Sequence, residues 1–207
     1  MIRGLPVVAL SIGALLLAVG LAMQALTPAE HARWVARLGF DLDALYRFRL
    51  WTMPFATVVQ SDPGLGLDFW ALLCSCVAAV ALVERSAGWK FALAAFFMTD
   101  WLASFLRLAA LATLAGLGSS DARRFLDVAD TGSSAALAGV LTVAALLHHG
   151  RTRALLLALL ALWLGYGVSR FRLDIGIVHA AGALAGVLLT LLWRRATDSS
   201  ASASTAV

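Results

Sequence analysis

The sequence predicts an all-α polytopic membrane protein: six transmembrane helices, with one long connection between the first two. Three observations predict it. Hydrophobic residues make up 61% of the 207-residue chain and charged residues only 14%, against about half and a quarter in a soluble domain. The mean hydropathy is +0.88. The apolar residues also fall into six stretches, each long enough or nearly so to cross ~30 Å of hydrocarbon at about 1.5 Å per residue.

The first stretch, 5–26, follows Arg3 and stays apolar for longer than a signal-peptide core. "MQAL" makes a poor cleavage site, so a retained first helix is expected. The connection at about 27–65 opens on a helix-starting pair, Thr27 and Pro28. In it Trp34, Leu38, Leu45, Phe48, Trp51 and Phe55 alternate with arginines, a pattern of segments that lie in the interface plane. His31 belongs to this amphipathic stretch and is expected to be solvated. The second span, 66–84, carries Cys74 and Cys76. Two residues apart on a helix, they point in different directions and cannot bridge; both read as small buried apolar side chains.

The third span, 90–116, holds Asp100 and Arg107. Seven residues are ~10.5 Å of rise, too far for a simple direct pair. They read as anchors of helix contacts or of a water-filled pocket, with Arg107 snorkelling outward; an ion or proton path is the alternative. The remaining spans are 130–149, 153–169 and 175–193. Asp130 and Asp174 stand at two helix starts, where a carboxylate suits the macrodipole. His148 and His149 lie at the opposite membrane edge beside Arg151 and read as solvated. Residues 196–207 are small and polar and are expected to be disordered, which leaves 1–195 as a single six-helix membrane domain.

With six spans the two termini share a side. Lysine and arginine divide almost evenly between the sides, so their count does not orient the chain. The clusters "ERSAGWK", "HHGRTR" and "WRR" lie on the terminal side, which points to cytoplasmic termini in the cell membrane. The net charge of +4 comes from arginines near span ends and suits lipid headgroups. No basic stretch is interleaved with aromatics, so a nucleic-acid partner is not expected. No Cys/His cluster, carboxylate set or glycine-rich phosphate loop points to a metal or a cofactor.

His179 raises the functional question, because a titratable group inside an apolar span usually has a task. The fourth and sixth spans run in the same direction, so residues equally far from their starts share a depth. Ser133 and Ser134 lie about one turn into the fourth span and His179 about one turn into the sixth, all roughly 5–8 Å below one interface. Ser134, Ala135, Ala138 and Gly139 recur at helical spacing on one helix; His179, Gly182, Ala183 and Gly186 do so on the other. Small residues let membrane helices approach closely, as a serine–imidazole hydrogen bond of about 2.6–3.2 Å requires. A base that removes the hydroxyl proton makes serine a nucleophile. Ser134 and His179 are therefore the expected catalytic pair, with Ser133 the rival nucleophile.

These residues also carry a resemblance. "GSSA" at Gly132–Ala135 looks like the Gly-x-Ser-Gly motif of rhomboid intramembrane serine proteases, and "HAAGALAG" at His179–Gly186 is similar to their His-x-x-Gly-x-x-x-Gly helix. "RLWTMPF" and "VERSAGWKF" resemble family patterns before and after the second span, so the likeness covers roughly 45–195. It implies a rhomboid-like bundle whose long first loop is partly embedded in the membrane, with Ser134 as nucleophile and His179 as base in a dyad. The implied partner is a single-pass transmembrane protein cut near the membrane surface. The chain departs from the family at the His-x-x-x-Asn element of the second helix, where Asp68 and Leu72 stand. It departs again at Ala135, in place of the motif's last glycine, and at Ala138, where an aromatic commonly packs under the histidine. Backbone N–H groups near Ser134, together with Ser133 or Asp68, are then the candidates for an oxyanion or pocket role. A non-catalytic rhomboid-like binder of client helices is the second expectation. A small transporter, resting on Asp100 and Arg107 alone, is the third.

Overall fold

In a computed structural model, which describes residues 4–61, 64–169 and 173–204, the named elements of the described residues are all helices. Helix α1 (Val7–Gln24) runs against α5 (Leu67–Ala87). The approach is close because Gly13 and Gly20 carry no side chain: a Cβ at Gly13 would come within 2.6 Å of Val77 Cγ2. A helix start leaves several N–H groups without partners. The two free N–H groups of Val8 and Ala9 are taken by Glu84 from the last turn of α5, at 3.2 and 3.0 Å.

Between α1 and α5 the long connection folds into α2 (Pro28–Leu38), α3 (Leu42–Tyr46), a 3-10 turn (Leu50–Thr52) and α4 (Met53–Val58). The Thr27–Pro28 start is a capping box, in which the Thr27 side chain and Glu30 satisfy each other's backbone N–H groups. Phe40, Ala44, Met53 and Ala56 pack on Leu108. Trp34, Tyr46, Phe48, Trp51 and Phe55 remain exposed, as an interface-lying segment requires. His31 departs from its expected solvated place. It is buried, with Nε2 at 3.2 Å from the Gln60 carbonyl oxygen, because it shares the inward side of α2 with the half-buried Val35 and Leu38 at helical spacing.

Gly88, at φ +89°, reverses the chain from α5 into α6 (Trp89–Gly116). A short α7 (Ser120–Leu126) leads to α8 (Ser134–Leu147), then α9 (Gly150–Ser169) and α10 (Leu173–Ser204). Among the described residues four helices are long and apolar enough to cross a membrane: α1, α5, α6 and residues 175–199 of α10. The molecule is thus a multi-pass integral membrane protein by the length and composition of its helices. Helix α8 differs from the expected 130–149 span. Its 14 residues rise about 21 Å, short of a bilayer core. It packs against α5, α6, α9 and α10, and every residue from Ala135 to Ala145 is buried.

The late start of α8 has a local cause. Gly132 sits at φ +98°, a region that glycine enters freely and that breaks a helix. Its N–H bonds to the Ala56 carbonyl at 2.8 Å, and Asp130 pairs with Phe40 in an antiparallel bridge. Asp130 is therefore not a helix cap; its carboxylate instead accepts from Ser104 Oγ at 2.7 Å. The Asp174 side chain lies outside the described residues. At its far end α8 is closed by Arg194, whose Nη2 donates to the Leu146 carbonyl at 2.6 Å, a cation where the helix dipole favours one. Helix α10 continues to Ser204, through residues expected to be disordered. That stretch holds no proline or glycine, and Thr197 and Ser199 bond back to carbonyls one turn earlier.

Candidate functional site

The geometry of the site is set by how α8 meets α10. A Cβ on Gly182 would collide with the Ala135 carbonyl oxygen, and one on Gly186 with that of Gly139. Both pairs have the same offset (182 − 135 = 47; 186 − 139 = 47), so the helices run parallel and in step. Gly139 is pressed on its other side by Thr99 of α6. The glycines expected to permit close approach thus sit at backbone-to-backbone contacts. In this register Ser134 is level with Ala181, and His179 stands two residues nearer the helix start, ~3 Å along the axis. Ala135, Val178 and Ala181 share one apolar cluster.

Ser134 is the first residue of α8 and lines an open cavity of about 980 Å³, together with Gln60, Asp68, Leu72, Trp163 and Val178. His179 is 3% exposed and stands behind that wall, next to Val178. Trp163 of α9 connects the two. Its Nε1 donates to the Ser134 carbonyl at 3.2 Å, and its ring lies 5.7 Å from the His179 ring at an interplanar angle of 37°. An aromatic does pack against the histidine, supplied from α9 instead of from position 138. Ser134 and His179 are not hydrogen-bonded to one another here, and His179 Nδ1 is buried without a partner.

Ser133 faces another way. Its hydroxyl is fully buried beside the Cys76 thiol and does not reach hydrogen-bonding geometry. Cys76 is buried as expected, whereas Cys74, two residues earlier on α5, is exposed. Ser133 does not line the cavity. Asp68 does, exposed in the first turn of α5; Leu72 is buried one turn on and offers no donor. Gln60 Nε2 reaches the Val58 carbonyl only at 3.5 Å, too long for a strong bond.

Asp100 and Arg107 are both engaged in holding this site. Asp100 Oδ1 accepts from the Ala136 N–H at 3.1 Å, and Oδ2 accepts from Thr57 Oγ1 at 2.7 Å. Of the N–H groups of Ser134, Ala135 and Ala136, only that of Ala136 is bonded. Arg107 does not snorkel outward: it is 2% exposed, and its Nη2 donates at 3.1 Å to both the Phe125 and Val128 carbonyls. It turns inward onto carbonyls at the end of α7 and in the loop after it, which accept its charged donor inside the fold. Among the described residues no group of three or more His, Cys, Asp or Glu side chains gathers as a metal site.

No family model, curated protein or solved structure matches the chain. Sequence reasoning missed Trp163, Gln60 and the capping role of Asp100. For Trp163 the available signal was a lone indole in the interior of an apolar span.

Proposed function

We propose that the chain is a rhomboid-like intramembrane serine protease of six spans, with α8 and α9 completing the four longer ones. Both termini are cytoplasmic, in the cell membrane. Helix α8 is shorter than a bilayer core and is surrounded by other helices, and its first residue, Ser134, lines the cavity. The observation that carries the reading is the parallel, in-step packing of α8 on α10. It sets Ser134 and His179 within one turn of each other, with Trp163 against both.

The chemistry follows from those groups. His179 takes the proton of Ser134 Oγ as that oxygen attacks a substrate carbonyl, then returns it to the departing amine. A water next hydrolyses the ester to the acid and frees the serine. The tetrahedral oxyanion meets the unbonded Ser134 and Ala135 N–H groups at a helix start, where the dipole favours negative charge. Gln60 supplies a side-chain donor from the same wall, where Leu72 has none. The substrate is a single-pass transmembrane protein whose helix unwinds near the surface.

A specific observation favours a second reading, a non-catalytic binder of client helices: Ser134 and His179 are not bonded in this state. Apo catalytic geometry is often loose, so the enzyme reading is retained. No further observation favours the transporter reading: Asp100 caps a helix, and Arg107 lines the cavity with its Nη2 held on two carbonyls. Reconstituted protein incubated with helix-destabilised single-pass substrates tests the choice. Cleavage lost in Ser134→Ala and His179→Ala but kept in Ser133→Ala supports the enzyme. No cleavage by the wild type across such a panel supports the binder.

A further inference from the structure

We infer that Asp100 is a positioning residue for Ser134, acting as a helix cap supplied from a neighbouring helix. This rests on the dyad reading and extends it to a residue outside the cavity.

Ser134 is the first helical residue of α8, so where its hydroxyl points depends on how the first turn is held. A helix start normally holds itself, through an N-cap side chain bonded to the second or third N–H of the helix. Here the N-cap is Ser133, and its side chain makes no such bond; it is buried against Cys76 instead. Asp100 of α6 fills the vacancy, at the third N–H, that of Ala136.

Both carboxyl oxygens are committed, one to Ala136 and one to Thr57 of α4, so the group cannot swing. One turn along, Thr99 of α6 is packed into the notch at Gly139, which stops α8 from sliding past α6. Three elements therefore meet at one carboxyl: α4 from the long connection, α6, and the first turn of the serine helix. Asp100 leaves the Ser134 and Ala135 N–H groups unbonded and available to an oxyanion. It does not itself line the cavity, so it acts on geometry and does not touch substrate.

The conservative variant discriminates this role from simple packing. In Asp100→Asn the amide oxygen still accepts from Ala136, and the NH₂ can donate to Thr57 Oγ1 while that hydroxyl donates to the Met53 carbonyl, already 3.0 Å away. Asp100→Ala removes both bonds. Thr57→Val removes one and serves if Asp100→Ala folds poorly.

The experiment combines hydrogen exchange over residues 134–138 with fluorophosphonate labelling kinetics at Ser134, in detergent. In Asp100→Ala, exchange at Ala136 should rise and the maximal labelling rate fall on the order of tenfold or more, since small misplacements of a reacting group carry such factors. The probe concentration for half-maximal rate should not move. Asp100→Asn should stay within about threefold of wild type in both readouts, and Thr57→Val should fall between. Unchanged exchange in Asp100→Ala, faster exchange with undiminished labelling, or an Asn variant as impaired as Ala each overturns the inference while leaving the dyad standing. A wild type that never labels overturns the dyad and this role with it.

Discussion

Replacing Gly182 by alanine adds one methyl group where the structure has no room for it. The new Cβ would lie 3.1 Å from the Ala135 carbonyl carbon and 3.3 Å from its Cα, with the carbonyl oxygen closer still. These are backbone atoms of a helix packed on all sides, so no side chain can rotate away. Ordinary carbon–carbon contact is about 3.5–4.0 Å, so α10 must back off α8 by several tenths of an ångström. Overpacking of this kind destabilises by about 1–3 kcal/mol, or roughly 2–12 °C in midpoint for a chain of this size. Leucine in place of Gly182 or Gly186 should do more. The lipid-facing controls are Leu184→Ala and Leu188→Ala, half-exposed on the same helix and expected to change stability by less than about 0.5 kcal/mol. Thermal unfolding in detergent measures all of these. Gly182→Ala as stable as wild type would refute the parallel, in-step packing on which the site depends.

Other expectations concern separate parts of the structure. Arg107→Met should destabilise by roughly 1.5–3 kcal/mol, because the Phe125 and Val128 carbonyls lose a charged donor. Arg107→Lys should not restore it, lacking the planar fork; thermal melts of both variants check this. Trp163→Phe keeps a ring against His179 but loses the bond to the Ser134 carbonyl, so stability should fall by about 1 kcal/mol and Ser134 labelling severalfold less than in Trp163→Ala. Glu30 lies outside the spans, and the Thr27 hydroxyl and N–H hold its carboxyl below the usual carboxylate range. Its contribution to the start of α2 is thus fully present above the ordinary carboxylate pKa and is lost as pH falls through the lowered one. Amide protection at the start of α2 should drop in acid; Thr27→Val, which keeps the backbone N–H, should weaken that dependence and Glu30→Gln should abolish it.

The contact between α8 and α10 was legible because glycine and alanine at helical spacing have one strong use in a membrane, and parallel spans fix relative depth. The start of α8 was misplaced by four residues, since nothing local says that Gly132 adopts a left-handed backbone until Ala56 and Phe40 are known to pair with its loop. The partners of Asp100 were illegible for a related reason. Thr57 and Ala136 are 43 and 36 residues away, and a carboxylate inside a span looks the same whether it caps a helix or lines a path. Arg107 was misread because snorkelling assumes that lipid is the only alternative to water, whereas a loop folded inward supplied carbonyls. Trp163 shows only as a lone indole inside an apolar span, and its two partners are defined only once α9 packs beside α8 and α10.

The central claim is that His179 activates Ser134, and covalent labelling tests it most directly. An unassisted serine is a poor nucleophile and should ignore a fluorophosphonate probe. With the adduct located by mass spectrometry, the wild type should label at Ser134, and less so in acid, where a protonated imidazole cannot accept the proton. Ser133→Ala should label normally and His179→Ala not at all. An adduct at Ser134 that survives His179→Ala, or a wild type without one, would contradict the account.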